Sequence, residues 1–173
     1  GREKIFLHNG KKQALKTAGF LLYPETSGGC LAIEKVLVKG TAVSFKVDKA
    51  VLAVDLEGYA NPDQYFSISI DFAGRIPEEI TGSAAFMSDG KTFFMGGFYP
   101  DLYPFQEDGT WLPLQPSKHG DPPENMLSTY MVKFMAPKGL TVLSSGVLEE
   151  GLIQGETQMF TAVSGPVRDF LLA

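Results

Sequence analysis

Few side chains in this sequence are of the types that carry out acid–base or nucleophilic chemistry. The chain has two histidines, His8 and His119, and one cysteine, Cys30. A nucleophile needs a neighbouring base and a group that orients that base, and neither histidine stands in a motif that supplies them. We therefore predict that both are surface or loop residues. Cys30 follows two glycines. It is either a thiol on a turn or, as the pattern favours, a small buried or half-buried apolar side chain.

A metal centre is equally hard to assemble from these residues. Catalytic zinc commonly uses a His-Glu-x-x-His helix and a distant carboxylate, and that motif is absent. The carboxylate pairs Glu78 with Glu79 and Glu149 with Glu150 each lie beside a proline or a glycine, which predicts solvated acidic pairs at turns. We expect no cofactor in this chain itself, and a self-contained hydrolase has little support.

Gly96 and Gly97 lie within the aromatic stretch from Phe93 to Pro100. They do not form a phosphate-binding loop, because no Gly-Lys-Ser/Thr continuation follows them. The pattern favours a bulge or bend where two backbones approach closely. The alternative is that the aromatic and methionine side chains around the two glycines form an apolar contact surface.

Composition limits the classes of partner. The 173 residues are 44% hydrophobic with a formal net charge of −5, which is ordinary for one soluble globular domain. Nucleic acid is not an expected partner, because phosphate binding needs a basic stripe and none is present. The sequence contains no run of about 18 apolar residues, so it predicts no membrane-spanning helix. A single cysteine fits the cytoplasm and many extracytoplasmic bacterial proteins, so it does not decide the compartment.

Short alternating runs indicate the elements that must position any site. Strict alternation of apolar and polar residues in segments 43–47, 65–72 and 130–134 is typical of half-buried strands. Gly-containing turn signals separate such runs, at Lys39-Gly40, Glu57-Gly58, Asp89-Gly90 and Asp108-Gly109. We predict an all-β fold, an antiparallel sandwich or saddle-shaped curved sheets, with little or no helix. The least regular stretch is 98–125, a proline-rich loop that contains Trp111.

The closing segment, 129–173, predicts a strand, a Pro-Lys-Gly turn, a second strand, a hairpin and a third strand. It finishes on an apolar strand without a polar tail, so we expect the chain to be one domain, 1–173, of a longer protein, with a further domain after Ala173.

Several segments, taken in order, resemble the amino-terminal domain of the aminopeptidase N family, bacterial type. The resemblance covers roughly residues 31–173. It rests on a strand and Gly turn at 33–40, strands at 42–47 and 51–56, the Phe72-Ala-Gly74 close, Gly97-Phe-Tyr-Pro100, Trp111, Gly120-Asp121, the strand 130–137, Ser145-Gly146 and the exit Val167-Arg-Asp-Phe170.

The resemblance implies a non-catalytic β-domain of a zinc aminopeptidase-like metallopeptidase. Zinc would then belong to the expected catalytic domain of the parent, which would be this chain's partner, and peptide substrate would reach it through the parent. The implied wall of the substrate cleft contains Phe94, Met95, Gly96, Tyr99 and Tyr103. Family members place an acidic or amide side chain near the segment corresponding to 94–96, and this sequence has none there.

The alternative interpretation is a free-standing carbohydrate- or protein-binding β-sandwich. Its binding surface would be the aromatic loop from Tyr99 to Trp111. The two interpretations differ in what lies beyond Ala173. A His-Glu-x-x-His motif there would favour the metallopeptidase domain.

Overall fold

The fold is all-β, as the alternating runs predict. The structure, a computed structural model, describes residues 1–26, 30–77, 86–112 and 126–173. Within these ranges the helical content is one short 3₁₀ turn, Tyr23–Thr26. The strands are β1 Arg2–His8, β2 Leu15–Leu21, β3 Cys30–Val38, β4 Thr41–Ala42, β5 Phe45–Asp48, β6 Val51–Ala60, β7 Tyr65–Arg75, β8 Phe86–Ser88, β9 Phe93–Gly96, β10 Asp101–Leu102, β11 Met131–Pro137, β12 Val147–Gln154, β13 Thr157–Val163 and β14 Leu171–Leu172.

Two four-stranded antiparallel sheets enclose the main core. One has the order β1-β7-β3-β4 and the other β10-β2-β6-β5. The predicted alternation in β7 is confirmed, because its apolar positions are buried while the residues between them are more exposed. Opposite β7, alternate residues of β6 are buried in the same way, and both sets join one cluster. Full burial of a side chain of this size stabilises the fold by about 1.5–3 kcal/mol. These core residues are Phe66, Ile68, Ile70 and Phe72 of β7 with Leu52, Val54 and Leu56 of β6.

Two three-stranded sheets extend this sandwich, with orders β11-β13-β12 and β14-β9-β8. The inner face of the first sheet packs on the core through Phe134, whose ring stacks on Phe160 at 5.3 Å between centroids. The predicted strand after the Pro-Lys-Gly turn is wrong for residues 140–143, which form no regular strand. Instead the backbone of Leu143 exchanges two hydrogen bonds with Ala173, so this segment is held by the far end of the chain.

Two of the turn predictions show how glycine is used. Lys39 and Gly40 both have positive φ, 50° and 83°, and they join β3 to β4 as a tight hairpin. This is the geometry that favours glycine in two-residue hairpins. The prediction of a turn at Gly58 is wrong, because Gly58 lies inside β6 with φ of 80°. There the register with β2 shifts, so this glycine forms a β-bulge and bends the strand.

The predicted strand at 43–47 is shifted to Phe45–Asp48. Its apolar residues stay partly in solvent, with Phe45 37% and Val47 43% exposed. These side chains stay exposed because β5 is the edge strand of its sheet. In that sheet, the buried core residues come mainly from β2 and β6.

Candidate functional site

A cleft of about 590 Å³ opens beside the edge strand β1. Its walls come from β1, from the segment that runs through Tyr99 into β10, and from residues 126–133 at the start of β11. β1 occupies an outer position because, among the described strands, it pairs with β7 alone. The cleft therefore lies where an edge strand, a loop after β9 and a third sheet meet.

Glu3 contributes a carboxylate to this cleft from inside the strand pattern. Alternate residues of β1 are shielded, and Glu3 is in phase with Ile5 and Leu7. Its Oε2 is buried and has no hydrogen-bond partner within the described ranges. Burial, and then the negative charge of Asp101, raise the pKa of Glu3 well above its usual value. The buried charged form is disfavoured because the desolvation cost is not repaid by a donor.

Asp101 lines the same cleft from a different strand. It begins β10, where it pairs with Leu21 of β2. Burial, and then the charge of Asp169, raise the pKa of Asp101 to about 7. The charge of Asp101 thus disfavours ionisation of Glu3, and the charge of Asp169, which is exposed, disfavours ionisation of Asp101.

Two hydrogen-bonded tyrosines line the cleft. The Tyr99 hydroxyl donates to the Tyr130 hydroxyl at 3.2 Å and accepts the buried backbone N–H of Phe170 at 3.1 Å. Burial is the main reason that the pKa values of both phenols are raised. The Tyr130 ring also lies 5.6 Å from the ring of Phe170. These contacts join the cleft to the last strand of the chain.

The five residues predicted for a substrate-cleft wall are not gathered at this cleft. Of them only Tyr99 lines it. Phe94 is 38% exposed on β9, Met95 is half-buried, and Gly96 pairs with Leu171. Tyr103 is buried at 2% exposure. The role of the five as a cleft wall stays a prediction.

Gly97, which follows Gly96 in the chain, lies close to the side chain of Tyr23. It has φ of 61°, and a Cβ on it would lie 3.0 Å from the Cβ of Tyr23. The bend expected at Gly96 and Gly97 is therefore present. The group that approaches it is the Tyr23 side chain and not a second backbone, as the sequence had suggested. Phe93 and Phe94 remain partly exposed nearby, so the bend also carries some apolar surface.

Trp111 is packed against the sandwich. Its ring stacks on Tyr103 with centroids 5.6 Å apart, and its Nε1 donates to the Thr17 hydroxyl at 3.1 Å. A Cβ on Gly19 would lie only 2.2 Å from the indole ring, so the indole requires a glycine beneath it. Tyr99 and Tyr103 are also buried, so most of the surface of these two rings packs against the protein.

The remaining chemical candidates occupy ordinary surface positions. His8 is exposed as predicted, with its ring stacked on Tyr65 and its Nε2 2.9 Å from Oδ1 of Asp63. The burial predicted for Cys30 is wrong, because this residue begins β3 and its thiol is exposed. Glu149 is exposed, as is its neighbour Glu150, though they lie within β12 and not in a turn. His119, Glu78, Glu79, Gly120 and Asp121 lie outside the described residues.

No group of three or more His, Cys, Asp or Glu side chains is arranged to hold a metal ion in the described part of the chain. Across the same ranges, no helix is long and apolar enough to cross a membrane.

Sequence reasoning missed Glu3, Asp101, Tyr130 and Asp169 as a group. One signal was available for Glu3, because a carboxylate stands in phase with Ile5 and Leu7 in an otherwise regular strand pattern. Nothing in the sequence indicated that Asp101 would lie across from it, since 98 positions separate the two along the chain.

Solved structures with a similar fold include zinc metallopeptidases. An M1 zinc metallopeptidase from Deinococcus radiodurans matches with TM-score 0.59 and 14% identity, over 99% of this chain and 37% of that one. A mutant of the enzyme from the same organism, bound to a Tyr-Ser-Ala substrate, matches with TM-score 0.59 and 12% identity, over 99% and 38%. A two-domain M1 zinc metallopeptidase mutant bound to L-tryptophan matches with TM-score 0.60 and 15% identity, over 99% and 38%.

No protein-family profile and no curated protein matches this sequence. At the identities found, the likeness to the solved enzymes shows a shared fold. The chain spans less than two-fifths of the length of those enzymes, and it is similar to one part of them along nearly its whole length.

Proposed function

We propose that this chain is the non-catalytic amino-terminal β-domain of a zinc aminopeptidase-like metallopeptidase, and that it shapes one wall of the substrate cleft. The observation that carries the proposal is the fold likeness, which covers 99% of this chain but only 37% or 38% of M1 zinc metallopeptidases. The ordered sequence resemblance from residue 31 to 173 supports the same assignment.

The proposal divides the chemistry between domains. Zinc and the hydrolytic step belong in this proposal to the catalytic domain of the parent, because the solved structures that share the fold are named as zinc metallopeptidases. This domain contributes shape and contacts. Phe94 is the best placed of the five wall candidates, because its ring is partly exposed at 38% and stands on a short strand paired on both sides.

An exposed apolar row supports the presence of a covalently linked partner domain. Met131, Val163 and Val147 are cross-strand neighbours on the outer face of the β11-β13-β12 sheet. They are 71%, 41% and 73% exposed. Contiguous apolar surface of this kind is typical of interaction sites. The catalytic domain of the same polypeptide is the partner that would cover this row.

The gene beyond Ala173 provides the first test. A parent of this type encodes a His-Glu-x-x-His motif there, followed by a Glu on the next helix. The full-length protein should bind one zinc and cleave aminoacyl reporters, while residues 1–173 alone do neither. A reading frame without such a motif, or metal-dependent hydrolysis by this chain alone, would contradict the proposal.

The second test addresses the wall itself, in the full-length protein. Phe94→Ala should lower kcat/KM for peptides several-fold with zinc content unchanged, because the lost contact is made with substrate and not with metal. Phe45→Ala is the matched control, since Phe45 is equally exposed at 37% but lies on the edge strand β5. Equal kinetic effects of the two substitutions would remove Phe94 from the wall.

A further inference from the structure

We infer that the cleft beside β1 binds an organic cation, through an ammonium or guanidinium group held between Glu3 and Asp101. Both residues line the cleft, Glu3 from the edge strand β1 and Asp101 from the start of β10. The inference is independent of the proposed function, because it uses only side chains of this chain and does not require a catalytic domain.

Glu3 supplies the first observation. Its Oε2 is enclosed and has no donor within the described ranges, although buried polar atoms in folded proteins are nearly always hydrogen-bonded. It points inward on β1 at a position where the alternation would place an apolar residue. A buried acceptor that lines an open cleft is explained if a donor enters from the cleft.

Asp101 supplies the second observation, from a different element. It lines the cleft from the start of β10, and the charged groups that interact with it, Glu3 and Asp169, are both acidic. Like charges in a poorly hydrated site oppose one another. A cation between them would remove this repulsion, so the arrangement favours a positively charged occupant.

The walls select an organic cation over a metal ion. The rings of Phe98, Tyr99 and Tyr130 line the cleft, and aromatic faces attract ammonium and guanidinium groups. Three or more ligands suitable for a metal ion are not brought together anywhere in the described part of the chain. A cleft of about 590 Å³ is also far larger than a bare ion needs and is in the range of small-molecule sites.

The basic residues around the cleft do not neutralise it. Arg2 holds Asp71, with Nη2 2.8 Å from Oδ2. Lys4 places its Nζ over the ring of Phe6 at 4.9 Å from the centroid, on the outward face of β1. Lys133 lines the cleft as well but lies on the exposed face of β11. The charged group that acts on Glu3 is thus the acidic Asp101.

Edge protection is the competing explanation for Glu3. An inward-pointing charge on an edge strand discourages pairing with another chain, and β1 is such a strand. That explanation predicts no saturable ligand. It also predicts that Asp101 has no effect on ligand binding, because Asp101 does not lie on the edge strand.

Calorimetric titration of the 173-residue chain with n-butylguanidinium tests the inference. N-butylurea is the matched neutral probe, with nearly the same shape and no charge. We expect saturable binding of the cation at pH 8.5, no measurable binding of the urea, and binding at pH 5.5 weakened at least tenfold as the carboxyls become protonated. Glu3→Gln and Asp101→Asn should each weaken the cation at least tenfold at pH 8.5. Glu107→Gln makes the same change in charge at an exposed residue paired with Lys11 and should change nothing.

A second titration decides whether the bound cation is a polypeptide side chain or a free small molecule. An acetylated and amidated Ala-Arg-Ala peptide presents the same guanidinium group as a protein side chain. Binding of the peptide at least as tight as that of butylguanidinium assigns the cleft to a polypeptide side chain, whereas binding of the free cation alone assigns it to a small molecule. The inference fails if neither probe binds, if the urea binds equally well, or if both cleft variants bind like Glu107→Gln. Far-ultraviolet circular dichroism of each variant checks that a loss of cation binding is not caused by unfolding of that variant.

Discussion

Substitution of Tyr99 by Phe should weaken the attachment of the last strand to the fold. Tyr99 is 7% exposed, and its hydroxyl accepts the N–H of Phe170, which is itself fully buried. Removing that oxygen leaves a buried backbone donor without its partner, which costs about 1–3 kcal/mol. The hydroxyl of Tyr130 loses a donor at the same time but still has Arg168 within reach of its own proton, at 3.5 Å.

Urea unfolding, followed by tryptophan fluorescence, measures this loss. We expect the free energy of unfolding of Tyr99→Phe to fall by about 2 kcal/mol with an unchanged m value, and the melting temperature to fall by about 4–8 °C. Tyr59→Phe is the matched control, because the Tyr59 ring also packs at the edge of the core and no hydrogen bond of its hydroxyl is seen within the described ranges. It should lose less than about 0.5 kcal/mol.

Hydrogen exchange locates the effect. The amide of Phe170 should exchange at least about tenfold faster in Tyr99→Phe than in wild type. The amides of β6 and β7 should exchange faster only by the factor that the loss of global stability accounts for. The reasoning is refuted if Tyr99→Phe and Tyr59→Phe lose equal free energies, or if protection of the Phe170 amide is unchanged relative to the core amides.

Two further predictions concern packing and pH. Gly19→Ala should destabilise the fold by about 1–3 kcal/mol in the same urea titration, because its Cβ would meet the Trp111 indole at 2.2 Å. Gly165→Ala is the control, since nothing lies within 4 Å of its Cβ. Its free energy of unfolding should be within about 0.5 kcal/mol of that of wild type. The pKa of Asp101 in the fold, about 7, lies above its unfolded value of about 3.9, so the folded state binds the extra proton and stability should fall as pH rises from about 4 to 7. Measured at pH 5 and pH 8, wild type should lose about 2 kcal/mol relative to Asp101→Asn, and parallel pH profiles would contradict the assignment.

The regular strands could be read from the sequence because their pattern is local. In β7 every second side chain from Phe66 to Phe72 is apolar, and all four are buried, since a strand with one face on a core must alternate. The Lys39-Gly40 hairpin followed from the same local logic, because a two-residue turn there needs positive φ. Gly58 was misread because glycine is required equally by a turn and by a bulge, and only the partner strand distinguishes them.

The sequence by itself determined the all-β class and the Lys39-Gly40 hairpin, because these depend on patterns within about ten residues, and the order of its segments gave a resemblance to a peptidase domain. The tertiary structure decided which side chains share a cleft. Glu3 meets Asp101 only because β1 pairs with β7 in one register and β10 pairs with β2 in the facing sheet. Burial then raised the pKa values of these two carboxyls, since the energy of a charge depends on the water removed around it, and that is a property of the packed fold.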